Sequence, residues 1–355
     1  MPQSANTITT VSHQPSDSSA QEARPARKVT VATLAALRAR GERAVFVTAY
    51  DYPTAVFADR AGVDMLLVGD SAAMTMLGHP NTVAVTMDEM LVFARAVCRG
   101  ARRPFVVGDL PFLSYQCSDR EAVRNAGAFI AAGCDAVKCE GGERVARRVR
   151  AMTDAGILAM GHLGLTPQNM AQLGGWKVQG KTLAAAELVL RDAVALQRAG
   201  AFSILLEAMP AEAAAFVRER VDLLVYGIGA GPHVDGQLVI AHDVLGNFVG
   251  DVRPRFVSRY ADVDDVVTNA FLSYAADVRS GRFPTPEHCY PIEPAHEAEI
   301  RAARVAGAPS ACSSGSAGSA ASPGSFAPPA PADAIASAGA AGHGASPAPT
   351  VGALQ

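Results

Sequence analysis

Phe105-Val-Val-Gly-Asp109, then Asp119-Arg-Glu-Ala-Val-Arg-Asn-Ala-Gly-Ala-Phe-Ile-Ala-Ala-Gly133, then Ala136-Val-Lys-Cys-Glu140 is the stretch whose reading decides the fold. Its first and last segments are short apolar runs of the kind that forms a strand buried on both faces. The middle segment repeats its apolar residues every three or four positions, the period of a helix with one buried face. Gly133 stands where a left-handed cap would stop that helix. Strand, crossover helix and strand together make a parallel pair.

The same pattern recurs in both directions. Candidate strands are Val45 to Ala49, Met65 to Gly69, Phe105 to Gly108, Ala136 to Cys139, Leu158 to Gly161, Ser203 to Leu206, Leu223 to Ile228 and Leu238 to Ala241. Helical patterns lie between them at Met87 to Arg99, Asp119 to Ala132, Glu143 to Ala155 and Leu183 to Ala199, and Gly62, Gly100, Gly133, Gly156 and Gly200 each end such a pattern. A helix is expected after Thr30, and a final helical pair around Val263 to Ser280. Eight strands alternating with helices predict an α/β fold, a (β/α)8 TIM barrel forming one catalytic domain over residues 29–300. Residues 1–28 are rich in Ser, Thr and Gln, and residues 301–355 are almost wholly Ala, Gly, Ser and Pro. Neither segment can bury enough apolar surface to offset its ordering entropy, so both are expected to be disordered.

Composition narrows the function. With 31 basic and 34 acidic residues the chain lacks the positive footprint that binding to a phosphate backbone requires, so nucleic acid is not expected as a partner. No apolar run is long enough to cross a bilayer. Cys98, Cys117, Cys134, Cys139, Cys289 and Cys312 form no paired motif, which fits reduced thiols in the cytoplasm. Arg24, Arg27 and Lys28 after a hydroxylated stretch have some likeness to a transit peptide, against which Asp17 and Glu22 count.

Catalytic groups of a parallel barrel project from the C-terminal strand ends. Those ends carry Asp51, Asp70 with Ser71, Asp109, Lys138 with Glu140, His162, Glu207, the Gly229 to Gly231 loop, and His242 with Asp243. Carboxylates converging on one mouth repel one another unless a bound cation or raised pKa values compensate. Asp70, Asp109 and Glu140 offer only oxygen ligands, a set suited to Mg2+. The alternative for any one acid is a helix N-cap or an ion pair. Lys138 and Glu140 share a strand face while Cys139 points the other way, which argues against Cys139 as a nucleophile. For Lys138 a charge role is preferred over an imine, because neighbouring acids keep its ammonium protonated. His162 either orients substrate or a carboxylate, or is a satisfied supporting histidine. His79, His233 and His242 lack ligand spacing and are read as structural. The Gly227 to Gly231 run, at the seventh strand, lacks the context of a dinucleotide fingerprint and is read as a tight loop where backbone approaches ligand. Trp176 lies in a Gly-rich loop and either covers the site or meets another subunit.

At these residues a family likeness emerges. Val68-Gly-Asp-Ser71, Gly108-Asp-Leu-Pro-Phe112, Val137-Lys-Cys-Glu-Gly-Gly142, Gly161-His-Leu-Gly-Leu-Thr-Pro-Gln168, Gly174-Gly-Trp-Lys-Val-Gln-Gly180 and Gly227-Ile-Gly-Ala-Gly231 resemble, in order and spacing, the signature blocks of ketopantoate hydroxymethyltransferases from about Val29 to Pro291. The resemblance implies that 3-methyl-2-oxobutanoate, 5,10-methylenetetrahydrofolate and water give 2-dehydropantoate and tetrahydrofolate, on the way to pantothenate and coenzyme A. It implies Mg2+ at Asp70, Asp109 and Glu140, directly or through water, and substrate contacts from Asp70, Ser71, Asp109, Lys138 and His162. Glu207, in Leu205-Leu-Glu-Ala-Met-Pro210, matches the family's proton acceptor, and Leu205, Leu206 and Met209 are expected to give it an apolar wall. A homo-oligomer, often a decamer, is likewise implied. The chain departs from the family pattern at Ala72 and Ala73, in place of Leu-Gly, at Phe93, in place of His, and at Leu224 and Tyr226. A methyl group at Ala73 is expected to narrow the cleft or strain its loop. These departures leave a diverged second copy open, along with two rivals. One is a carbon–carbon lyase or mutase of the phosphoenolpyruvate-type barrels, against which stands the lack of a cysteine in a loop after a strand end. The other is a non-catalytic barrel.

Overall fold

The computed structural model describes residues 27–250 and 254–306. Most of the two segments expected to be disordered therefore lies outside the described residues. The strands are β1 Ala44–Thr48, β2 Met65–Val68, β3 Phe105–Asp109, β4 Ala136–Glu140, β5 Ala159–Gly164, β6 Ser203–Glu207, β7 Leu224–Ile228 and β8 Gly236–Val239, closed in that order into a parallel barrel. The helices are α1 Val31–Ala39, α2 Tyr52–Arg60, α3 Ala72–Thr75, α4 Met87–Gly100, α5 Asp119–Ala131, α6 Glu143–Asp154, α7 Met170–Leu173, α8 Leu183–Arg198, α9 Ala211–Arg218, α10 Ala241–Leu245, α11 Val263–Arg279 and α12 Pro294–Ala306.

The fold is the one that the alternation of strand and helix patterns predicts. Two strands depart from expectation by more than one residue at an end. β5 runs on to Gly164 because Glu140 and Glu207, the last residues of its neighbours, pair with His162 and Gly164. β8 begins and ends two residues earlier than expected, since Ala241 already opens α10 and donates its N–H to Thr48 Oγ1 at 3.0 Å. The helical pair expected around Val263 to Ser280 is instead one unbroken helix, α11, and α12 follows only at Pro294. Nothing in Val263 to Arg279 interrupts a helix, as the stretch lacks both Gly and Pro.

Local chemistry explains the helix starts. Asp51, Thr86, Ser118 and Thr182 each accept a hydrogen bond from a backbone N–H in the first turn of α2, α4, α5 and α8. Glu89 completes a capping box by accepting from Thr86 N–H at 2.8 Å. Asp51 thus takes the structural role allowed for any single acid. Four of the five expected glycine stops have positive φ, whereas Gly100 does not. Gly100 is the last residue of α4, where a Cβ would stand 2.7 Å from the Tyr52 carbonyl oxygen.

Strand alternation divides the core into two shells. Inside the barrel, Phe46, Met65, Leu67, Phe105, Val107, Ala136, Met160, Leu205, Tyr226 and Leu238 form one apolar cluster, and Leu34 of α1 joins it. Outside, Leu66, Val68, Val106, Val137, Cys139, Ile204, Leu206 and Val225 pack against Met90, Phe129, Val149 and Leu196 of the surrounding helices. Helix α5 comes so near the sheet that a Cβ on Gly108 would lie 2.4 Å from the Phe129 ring.

The barrel unit extends through Val266, and the chain from Val267 forms a second unit. No residue of α11 is buried, and Phe271 is 70% and Leu272 63% exposed.

Gly108→Ala should lower stability by about 1–3 kcal/mol through overpacking against Phe129, as measured by urea unfolding. Unchanged stability would mean that α5 does not press on β3 as described.

Candidate active site

The inward positions of neighbouring strands change character toward their C-terminal ends. β3 places Phe105 and Val107 low and Asp109 high; β4 places Ala136 low, then Lys138 and Glu140; β5 follows Met160 with His162; β6 follows Leu205 with Glu207. Parallel register sets Asp109 beside Lys138, Glu140 beside His162, and Gly164 beside Glu207.

The side chains meet accordingly. Lys138 Nζ lies 2.8 Å from Asp109 Oδ1, 3.9 Å from Glu140 Oε1 and 3.3 Å from His162 Nδ1. His162 Nδ1 is 3.2 Å from Glu140 Oε1, and Nε2 is 3.1 Å from Glu207 Oε2. Asp70, just past β2, joins the group by its backbone, whose N–H donates to Asp109 Oδ2 at 3.1 Å. Asp70, Asp109, Lys138, Glu140 and His162 are all buried.

Burial governs the electrostatics. Loss of solvent raises the pKa of Asp70 and drives that of Asp109 well up, with Lys138 opposing the change in both cases. Burial likewise pushes Glu140 up to about 7. Burial alone would depress Lys138, yet Asp109, Glu140 and Asp70 outweigh it and hold the ammonium charged. His162 is lowered by burial and by Lys138. A neutral imidazole whose Nδ1 accepts from Lys138 carries its proton on Nε2, which stands 3.1 Å from Glu207 Oε2 without an aligned hydrogen bond.

The residues fit a divalent cation in chemistry and charge. Were all three buried carboxylates ionised, they would exceed the one ammonium by two charges, the balance a divalent cation would supply, and Asp109 Oδ1 is a buried oxygen without an aligned hydrogen bond. The donors are all oxygen, as a hard cation prefers. Among the described residues no three His, Cys, Asp or Glu side chains are placed to hold a metal ion together, so the fit is one of donor chemistry and not of ligand spacing.

Ser71 precedes α3 but does not cap it with its side chain; its Oγ is 2.8 Å from Tyr50 OH. Of the apolar wall expected for Glu207, Leu206 faces the outer shell while Leu205 shares the inward face with Glu207, whose carboxylate lies 3.1 Å from His162 Nε2. Ala208, the next residue, has φ 47°, a left-handed conformation that costs about 1–2 kcal/mol and fixes the direction in which Glu207 leaves its strand.

The structure also places the remaining candidates. Ala73 lies within α3, fully buried among outer-shell residues and without positive φ, so its methyl group neither strains a loop nor narrows the mouth. The Gly227 to Gly231 loop is tight, with φ 65° at Gly229, but what approaches it is Phe256, 2.5 Å from where a Cβ would stand. A cysteine does follow a strand end: Cys117 is exposed in the loop between β3 and α5 and donates to the Leu113 carbonyl at 3.8 Å. Cys139 is buried in the outer shell with its thiol pushed up to about 12 by burial. His242 packs against Tyr50, with ring centroids 5.5 Å apart. Phe93 packs on the outer core, and Tyr226 meets Phe46 edge-on inside the barrel.

Reading ionisable strand ends misses Gln168, Tyr115 and Tyr50. Gln168 N–H donates to Glu140 Oε2 at 2.9 Å, and its amide nitrogen donates to Asp70 Oδ2 at 2.9 Å. Gln168 closes the segment Gly161-His-Leu-Gly-Leu-Thr-Pro-Gln168, where no ionisable group of its own and no periodicity marks it as part of the site.

Buried acids and a lysine at the C-terminal mouth of a closed parallel barrel are the layout of a (β/α)8-barrel enzyme. The family model described as ketopantoate hydroxymethyltransferase matches residues 28–286, and the chain belongs to that family. The chain is 50% identical over 268 residues to the 3-methyl-2-oxobutanoate hydroxymethyltransferase of Alkaliphilus metalliredigens (strain QYMF), covering 75% of this chain and 94% of the relative. It is 50% identical over 282 residues to the enzyme of that name from Syntrophobacter fumaroxidans (strain DSM 10017 / MPOB), covering 79% and 97%. The crystal structure of phosphonopyruvate hydrolase shares the fold, with TM-score 0.51 and 15% identity over 79% of this chain and 96% of that one.

Lys138→Met should destabilise the protein by about 3–5 kcal/mol at neutral pH, because it strands buried carboxylates without their countercharge. Denaturant titration of the variant measures this, and wild-type stability would show that the acids do not depend on Lys138.

Proposed function

We propose that this protein is a 3-methyl-2-oxobutanoate hydroxymethyltransferase that uses 5,10-methylenetetrahydrofolate and water to form 2-dehydropantoate and tetrahydrofolate. The observation that carries the reading is the continuous line from Glu207 through His162 to Lys138 and the buried acids at one mouth.

Glu207 takes the proton from C3 of the oxo acid. His162 Nε2 stands 3.1 Å from one oxygen of that carboxylate, leaving the other free to accept. Lys138 and Ser71 bind the oxo acid, and the Lys138 ammonium offsets negative charge as the proton leaves. Mg2+ held by Asp70, Asp109 and Glu140, directly or through water, would polarise the 2-oxo group and make the C3 proton more acidic.

The protein acts as a homo-oligomer in the cytoplasm. The exposed apolar side chains of α11, Val266, Phe271, Leu272 and Tyr274, support a face covered by another copy. Among the described residues no helix is long and apolar enough to cross a membrane.

Hydrogen–deuterium exchange at C3 of 3-methyl-2-oxobutanoate tests the reading. Wild-type protein should catalyse exchange in the presence of Mg2+, and Glu207→Gln should slow it by about 10²–10⁴-fold while still binding the oxo acid. Exchange by the variant at the wild-type rate would remove Glu207 from the mechanism. Calorimetry should show that chelating the cation abolishes uptake of the oxo acid, and uptake of equal strength without the cation would refute the metal assignment.

A further inference from the structure

The side chain of Gln168 uses its full hydrogen-bonding capacity while buried. Its Nε2 donates to Asp70 Oδ2 and to the Leu110 carbonyl, both at 2.9 Å. Its Oε1 accepts from Tyr115 OH at 2.9 Å and from Gln116 Nε2 at 3.2 Å, and its backbone N–H donates to Glu140 Oε2 at 2.9 Å. Tyr115 OH in turn accepts from Glu140 N–H at 2.9 Å. One residue, in the single 3-10 turn Pro167–Asn169 after β5, thus touches the carboxylates that follow β2 and end β4 and the residue just after Asp109.

We infer that Gln168 is a positioning residue that sets the orientation of the Asp70 and Glu140 carboxylates toward a divalent cation, with Tyr115 holding its amide in register. The physical case is one of orientation. A carboxylate with one oxygen bound to a fixed donor directs its other oxygen, and three strands supplying separate acids need a common reference if they are to address one ion. Gln168 provides it from a fourth strand end. A neutral amide suits the task, since a charged donor there would compete with the ion for the same oxygens. Partners that orient ligands in this way commonly contribute about 10–100-fold to metal affinity.

The inference rests on the reading of Asp70 and Glu140 as cation ligands, and the test separates the two. Mg2+ binding to the full-length protein without substrate is measured by calorimetry, with thermal unfolding in parallel. The comparison covers wild type, Asp70→Asn, Gln168→Leu and Tyr115→Phe. Wild type should bind Mg2+ and Asp70→Asn should lose it. Gln168→Leu should weaken the Kd by about 10–100-fold, with kcat largely recovered at saturating Mg2+. Tyr115→Phe, which removes the hydroxyl and with it the bonds to Gln168 Oε1 and Glu140 N–H at nearly constant shape, should weaken the Kd by about 2–10-fold in the same direction, and it decides the matter if Gln168→Leu does not fold. A wild-type Kd in the folded Gln168 or Tyr115 variants, with Asp70→Asn defective, overturns the positioning role alone, and a lower melting temperature with unchanged Kd does the same. Absence of Mg2+ binding in wild type overturns the ligand reading and this inference together.

Discussion

The ammonium of Lys138 is held among the carboxylates of Asp109, Glu140 and Asp70, in a place where none of the four groups has appreciable contact with solvent. Each charge taken out of water costs several kcal/mol even after relaxation, and only attraction at close range and well-placed hydrogen bonds offset that cost. Burial favours the neutral acids and also the neutral amine, but the acids prevail at Lys138 and the amine stays charged. The mouth of the barrel is therefore a region whose charge state is shared among its members.

The apolar half of the barrel makes that arrangement possible. Phe46, Met65, Phe105, Met160 and Tyr226 fill the interior below the charged groups and exclude water from that side. Of the strands that line the interior, β3 and β4 supply Phe105, Val107 and Ala136 below and Asp109, Lys138 and Glu140 above, with a change of residue type two or four positions along. Depth in the barrel is thus encoded by position along the strand, and the registers Asp109↔Lys138 and Glu140↔His162 carry that depth from one strand to the next.

This coupling explains what could be read in the sequence. Asp109, Lys138, Glu140, His162 and Glu207 were legible because each ends an apolar run that could only be a buried strand, and a parallel barrel brings such ends together. Asp51 ends a run of the same kind yet caps α2, a distinction that depends on whether the chain turns into a helix at that residue or beyond it. Gln168, Tyr115 and Tyr50 were not legible, since neutral groups on loops have no periodicity and reach the site only through the fold. Ala73 was misjudged because substitution at an expected glycine suggests strain, whereas the local backbone is helical and suits alanine well. The register of β8 was displaced because an apolar run continuing into α10 has no marker of where the strand stops.

The ring of strands is not equally fastened all the way around. β5 and β6 are paired over Met160 to Gly164, whereas β7 and β8 meet at Tyr226↔Gly236 and Gly227↔Gln237 alone. A closed barrel opens first where the fewest backbone bonds must break, so this junction is its seam. Asp109, Lys138 and Glu140 lie on strands across the barrel from it, so the charged mouth does not depend on the pairing at that junction.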